Sequence, residues 1–238
     1  FDFPKVKIKN DFNYSKEIKN GKSDFIFNKL KSTATYKIKK NLFEFKFFDK
    51  FEEPNFIYNG MFNLNPFYSE LKGATNGLNA SSLFDTNALI PQLLKTEIFN
   101  NKNIDFKLNI NAKKLDNNVH FNNINLNSKI QEGLIDFDLT EFNWKNLVNF
   151  QLLDSLIYVN EGELLLDGKL EMNIKNYDDI YKFLLTPKKY RKKIEKIDVN
   201  FSYNFDKKTT NLSNIRINNI YSQNINKKVS NIINFKRK

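Results

Sequence analysis

Glu161-Gly162-Glu163-Leu164-Leu165-Leu166-Asp167-Gly168-Lys169-Leu170-Glu171-Met172-Asn173-Ile174 is a turn signal followed by a strand written in period two. Leu164, Leu166, Gly168, Leu170, Met172 and Ile174 fall on one face, and Asp167, Lys169, Glu171 and Asn173 on the other. Successive side chains of an extended chain point to opposite sides, so this alternation predicts a half-buried strand. Asn176 is then placed to cap a short helix over 177–185, whose Ile180, Tyr181, Phe183 and Leu184 suit one apolar side. Thr186-Pro187 ends that helix and can start a second turn. The basic run Lys188, Lys189, Arg191, Lys192 and Lys193 follows, and Ile197, Val199, Phe201, Tyr203 and Phe205 then alternate with Asp198, Asn200, Ser202 and Asn204. The unit over 161–205 reads as a strand, a basic helical crossover and a strand.

Outward from this unit the chain reads as a β-meander. In 1–66, Leu30, Ala34, Tyr36 and Ile38 share one parity and Phe43, Phe45 and Phe47 the other, with Lys39-Lys40-Asn41 between them, which is a hairpin pattern. Phe56, Tyr58, Phe62 and Leu64 alternate up to Pro66. Over 67–100 the pattern breaks. Gly73, Ala74, Gly77, Ala80, Ser81 and Ser82 predict a loop, and Ile90, Leu93, Leu94 and Ile98 predict a helix over 87–100 that packs on the sheet or plugs one end of it. Strands resume over 101–222, with parity slips at Asn122-Asn123 and Thr140-Glu141 that predict bulges or bends. The segment 152–159 is apolar on both parities and is expected to be buried on both faces. Residues 223–238 predict a short amphipathic, basic tail.

The predicted fold class is therefore mainly β: a long, curled antiparallel meander with two or three short helices packed on or capping it. One apolar face with no second complementary sheet must be buried by closure into a barrel, by a sandwich partner, or by a ligand.

Composition narrows the chemistry. The chain has 238 residues, 40% apolar and 15% aromatic with 24 Phe, which is enough to build a core. A net charge of +11 suits an acidic partner, either nucleic acid or an anionic membrane surface. A/T-rich coding, which raises Lys, Asn, Ile and Phe together, accounts for the global excess as well. There is no Cys and one His, so thiolate chemistry is excluded and a metal centre would need carboxylates alone. His120 lacks a nucleophile elbow to serve. Glu52-Glu53 and Asp178-Asp179 sit where a turn and a helix start are expected. No phosphate-cradling glycine loop is present. An enzyme, a metal and a cofactor are not expected. No run approaches the roughly 20 apolar residues of a membrane-spanning helix. The sequence begins at Phe1 without a basic-then-apolar leader, so an anchor or export signal is expected upstream.

Glu161-Gly162-Glu163-Leu164 leading to Gly168-Lys169-Leu170 resembles the C-terminal region of AsmA-like envelope proteins. So do Tyr181-Lys182-Phe183-Leu184 with Thr186-Pro187-Lys188-Lys189-Tyr190-Arg191-Lys192-Lys193-Ile194, and the flanking Asn101-Lys102-Asn103-Ile104 and Asn204-Phe205-Asp206-Lys207-Lys208. The likeness covers about 85–220. It implies a bridge-like lipid-transfer protein of the double-membraned bacterial envelope, periplasmic and anchored to the inner membrane by a segment outside this chain, with a β-groove that carries phospholipid in outer-membrane biogenesis. On that reading Phe106, Leu108, Ile110, Ile135, Phe137, Leu164, Leu166, Leu170, Met172, Val199, Phe201 and Tyr203 line the groove, while Lys188, Lys189, Arg191, Lys192 and Lys193 meet head groups or a membrane surface. The expected partners are phospholipid and membrane, not nucleic acid, because the aromatics alternate away from the lysines. The alternatives are an outer-membrane transmembrane β-barrel, which the strand lengths suit and the densely charged second face does not, and a structural β-domain without ligand.

Overall fold

The computed structural model describes residues 6–27, 30–51, 53–79, 89–96, 99–101, 103–116 and 118–235. Its strands are β1 (Val6–Tyr14), β2 (Lys19–Phe27), β3 (Leu30–Lys39), β4 (Leu42–Asp49), β5 (Phe56–Leu64) and β6 (Phe67–Thr75). After helix α1 (Leu89–Lys95) come β7 (Asp105–Leu115), β8 (Asn118–Gln131), β9 (Leu134–Asp136), β10 (Glu141–Trp144), β11 (Val148–Asn160) and β12 (Glu163–Ile174). Helix α2 (Tyr177–Phe183) leads to β13 (Lys196–Asn204), β14 (Thr209–Ile217), β15 (Ile220–Tyr221) and helix α3 (Gln223–Phe235). All fifteen strands form one sheet in chain order, with β9 pairing β8 and β11 beside the main path. Every pairing between these strands is antiparallel except that of β6 with β7. The fold class read from the sequence holds: a long curled meander that carries three short helices among the described residues.

The register carries one face across the whole sheet. Ile38 pairs with Phe43, Tyr36 with Phe45 and Ala34 with Phe47; Phe43 continues to Phe62 and Phe47 to Tyr58. Further on, Ile110 pairs with Leu126, and Leu166, Leu170 and Met172 with Tyr203, Val199 and Ile197. Directly opposed residues share a face, so apolar side chains collect on one side. Asn, Lys, Asp and Glu collect on the other, as in Lys169 with Asn200 and Glu171 with Asp198.

The stretch 67–75, read from the sequence as the start of a loop, is strand β6. Its small residues conceal it. Gly73 lies opposite Tyr58, and a Cβ on Gly73 would come within 2.3 Å of that ring. The same arrangement places Tyr36 over Gly21 and Phe45 over Gly60. In each case the aromatic covers the surface that the glycine lacks, so a residue that weakens a strand by itself is tolerated. Of the loop residues named above, Ala80, Ser81 and Ser82 lie outside the described residues.

The apolar segment 152–159 owes its double parity to a bulge. The register of β11 against β12 shifts between Leu153 and Leu156, and Asp154 takes φ +48°. Leu152 and Ile157 therefore return to the same face, opposite Leu170 and Leu166. Leu156 is exposed on the polar side. A one-residue slip, and not burial of both faces, explains the pattern. The slip read at Asn122-Asn123 is likewise a register shift between β8 and β10, with Asn123 at φ +50°.

Helix α1 is the main cover on the apolar face. The helix predicted over 87–100 is described from Leu89 to Lys95; 87, 88, 97 and 98, Ile98 among them, lie outside the described residues, as does the Ile90 side chain. Leu94 is buried with Ile110, Leu126, Ile135, Phe137, Ile157, Leu164 and Phe205. Ile157 and Leu164 are each only 1% exposed. At the far edge the tail expected over 223–238 forms helix α3, which packs on β14. Its 236–238 end and the Ile232 and Ile233 side chains lie outside the described residues.

Candidate functional site

The crossover between β12 and β13 is built as its sequence suggests. Asn176 caps α2 by accepting the Asp179 N–H at 3.1 Å, and its side-chain amide donates to Asp179 at 2.6 Å. Asp179 also pairs with Lys182. A 3-10 turn over Lys188–Tyr190 follows Pro187. The Tyr181 hydroxyl donates to the Lys192 carbonyl at 2.9 Å and accepts the Lys192 N–H at 3.3 Å, and Arg191 Nε donates to the Thr186 carbonyl at 2.9 Å. These bonds hold the basic run as a braced excursion at one end of the sheet. Lys188, Lys189, Lys192 and Lys193 are exposed and Arg191 is half-buried. Lys193 pairs with Glu195 at 2.5 Å, which raises its pKa.

The excursion touches the apolar face through Phe183. Phe183 meets Trp144 edge-on, with ring centroids 5.1 Å apart, and Lys145 Nζ lies 4.3 Å from the centre of the Phe183 ring. Trp144 is the last residue of a continuous aromatic patch. Phe142 pairs with Phe150 and Trp144 with Val148, and the Phe142 and Phe150 rings stack at 4.9 Å beside Phe121.

The residues predicted to line a groove fall on this one face and divide into two groups. Ile110, Ile135, Phe137 and Leu164 are buried in the cluster that Leu94 joins. Ile135, Phe137 and Leu164, with Phe106, Leu108 and Pro91, line an apolar cavity of about 80 Å³. That end of the face is filled by the chain's own helix. Leu166, Leu170, Met172, Phe201 and Tyr203 remain half-buried, while Val199 is buried between them and the bulged β14. Lys95, at the end of α1, pairs with Asp206 in the turn after β13. The Leu164 N–H donates to Asp206 at 2.9 Å. Lys95, then this N–H, hold the Asp206 carboxyl below its usual range.

From the sequence, 1–66 is expected to be a β-strand segment of the groove, but no lining residue is named there, although the parity of these strands carries the signal. Phe45 and Phe62 stack at 5.5 Å, Phe43 and Phe62 at 5.9 Å, and Tyr36 and Phe43 at 5.9 Å. Phe47, Phe56 and Tyr58 continue the row. Such ring pairs contribute about 0.5–1.5 kcal/mol each beyond their buried area. The register that unites them with the C-terminal face could not be read from single strands.

The polar face has shallow concavities instead. One of about 440 Å³ is lined by Asp154, Gly168, Lys169, Asp198, Asn200, Asn214 and Arg216, with Asp198 buried and Lys169 and Lys196 at 3.5 and 3.6 Å from it. His120 is exposed in β8. Among the described residues no three His, Cys, Asp or Glu side chains are grouped to hold a metal ion, and no helix is long and apolar enough to cross a membrane.

No family model, no curated protein and no solved structure matches the chain.

Proposed function

We propose that this chain is a non-enzymatic lipid carrier whose apolar face holds phospholipid acyl chains, as a segment of a periplasmic envelope protein that moves lipid between membranes. The supporting observation is that a single β-layer presents one apolar, aromatic face over fifteen strands, and only α1 packs deeply on it among the described helices. Burial of an acyl chain gains about 0.8 kcal/mol per methylene. A sixteen-carbon tail lying along Leu166, Leu170, Met172 and the rings of Phe201 and Tyr203 would gain on the order of 10 kcal/mol. Alkyl and ring surfaces solvate a tail without directional bonds, so the tail slides along the strip.

The transmembrane barrel is the weaker reading. A spanning sheet must close, because bare edges in hydrocarbon leave backbone groups unbonded. Among the described strands no pairing joins β1 to β15, and the face opposite the apolar one is charged. Native mass spectrometry of the purified chain tests the proposal. Phospholipid is expected to co-purify with the wild type and to be lost from the double variant Leu170→Asp, Met172→Asp. A lipid-free wild type under conditions gentle enough to keep non-covalent ligands intact would refute it.

A further inference from the structure

The same crossover that carries the basic run presents four large apolar side chains to water. Phe183, Leu184, Leu185 and Tyr190 are 51%, 61%, 87% and 63% exposed. This is not a frayed end. The Leu184 N–H bonds the Ile180 carbonyl at 2.9 Å, the Leu185 N–H the Lys182 carbonyl at 3.0 Å and the Thr186 N–H the Tyr181 carbonyl at 2.8 Å. Leu185 itself is held at φ +54°, a left-handed conformation that costs a residue with a Cβ and is usually left to Gly or Asn. An expensive backbone shape thus displays the most exposed leucine of the described chain.

Its neighbours are cations. Lys188, Lys189 and Lys192 are exposed and, among the described residues, make no ion pair. Lys189 Nζ sits 4.9 Å from the Tyr190 ring centre. Apolar side chains able to enter the acyl boundary beside lysines able to meet anionic head groups are the two halves of an interfacial anchor. Its position agrees. The crossover leaves β12 after Ile174 and enters β13 at Lys196, the end of the sheet opposite Leu164 and Phe205, where α1 fills the face. Phe183 rests on Trp144 at the end that α1 leaves uncovered among the described residues.

The geometry points to a membrane-docking tip: Leu184, Leu185 and Tyr190 insert into an anionic lipid surface, Lys188, Lys189 and Lys192 bind its head groups, and the open end of the apolar face is thereby set against the bilayer. Membrane docking stands independently of the lipid-carrying reading; only the claim that docking delivers tails to the apolar face rests on it.

Co-sedimentation with vesicles of mixed phosphatidylcholine and phosphatidylglycerol tests the tip, with phosphatidylcholine alone as reference. The wild type is expected to bind the anionic vesicles preferentially. Leu184→Asp with Leu185→Asp, and separately Lys188→Glu with Lys189→Glu, are each expected to weaken binding by about tenfold or more. Because these side chains are exposed, thermal midpoints should not move. Retention of co-purified lipid in both variants would separate the tip from the carrier: lost vesicle binding with retained lipid supports the tip. A wild type that ignores anionic vesicles overturns it, whatever lipid the protein carries. Binding that survives the leucine substitutions overturns insertion.

Discussion

Asn226 closes the edge of the sheet at Ile215. Its Oδ1 accepts the Ile215 N–H at 2.8 Å and its Nδ2 donates to the Ile215 carbonyl at 3.1 Å, so one side chain does what a neighbouring strand would do. A strand edge left bare is a template for pairing with other chains. Replacing Asn226 by Ala is expected to cost about 1–2 kcal/mol and to speed hydrogen exchange at the Ile215 amide. Exchange at Ile215 as slow as in the wild type would show that α3 covers the edge without this residue.

The Lys95–Asp206 pair ties α1 to the turn after β13, and its contribution depends on pH with a definite sign. Asp206 is held below the ordinary aspartate value of 3.8, chiefly by Lys95 and then by the Leu164 N–H. The unfolded chain therefore takes up its proton first as acid is added. The stabilisation is complete above about pH 4–5 and is lost as pH falls through the depressed folded value. Asp206→Asn is expected to remove that acid-side dependence, read from urea midpoints between acid and neutral pH. An unchanged acid limb would place the sensitivity in other carboxylates.

Gly21, Gly60 and Gly73 are covered by rings, whereas Gly162 lies open. Gly60→Val would bring a Cβ to 2.4 Å from the Phe45 ring and 3.2 Å from the Glu70 carbonyl oxygen, with an expected loss of about 1–3 kcal/mol. A methyl group on Gly162, at φ +76°, would meet nothing within 4 Å. Gly162→Ala should cost only the left-handed backbone preference, about 1–2 kcal/mol. Urea denaturation of the two variants separates steric from conformational cost, and the reverse order would contradict the packing of Phe45 on Gly60.

Burial also separates two leucines of the same crossover unit. Leu164→Ala removes a side chain that is 1% exposed beneath α1, at an expected cost of about 2–5 kcal/mol. Leu185→Ala should stay within about 0.5 kcal/mol of the wild type. A large loss at Leu185 would mean that it packs against the fold and does not serve an external surface.

Period two carried most of this fold. Ile38 to Phe43 and Leu164 to Ile174 announce strands because each strand is wet on one side only, and Asn176 marks a helix start because its side chain has a free amide to cap. What escaped was non-local. Gly73 and Ala74 look like loop residues until Tyr58 and Ile57 are placed across from them, and Leu152 to Val159 looks doubly buried until Asp154 is seen to bulge. The exposure of Leu184 was hidden for the same reason. With Ile180, Tyr181 and Phe183 it suits the apolar side of a helix, and only the tertiary position of the crossover, with Phe183 resting on Trp144, leaves it in water.

The parallel contact of β6 with β7 divides the sheet into two ribbons. Every other neighbour is reached by a chain reversal or a short crossover, whereas this seam joins strands separated by the excursion through α1. Six strands on one side and nine on the other are each continuous ribbons stitched along a single line from Tyr68 beside Asp105 to Thr75 beside Ala112. Parallel pairing is slightly less stable per residue than antiparallel pairing, and no hairpin turn couples the two strands here, so the two ribbons are joined through backbone hydrogen bonds and the packing of their shared apolar face.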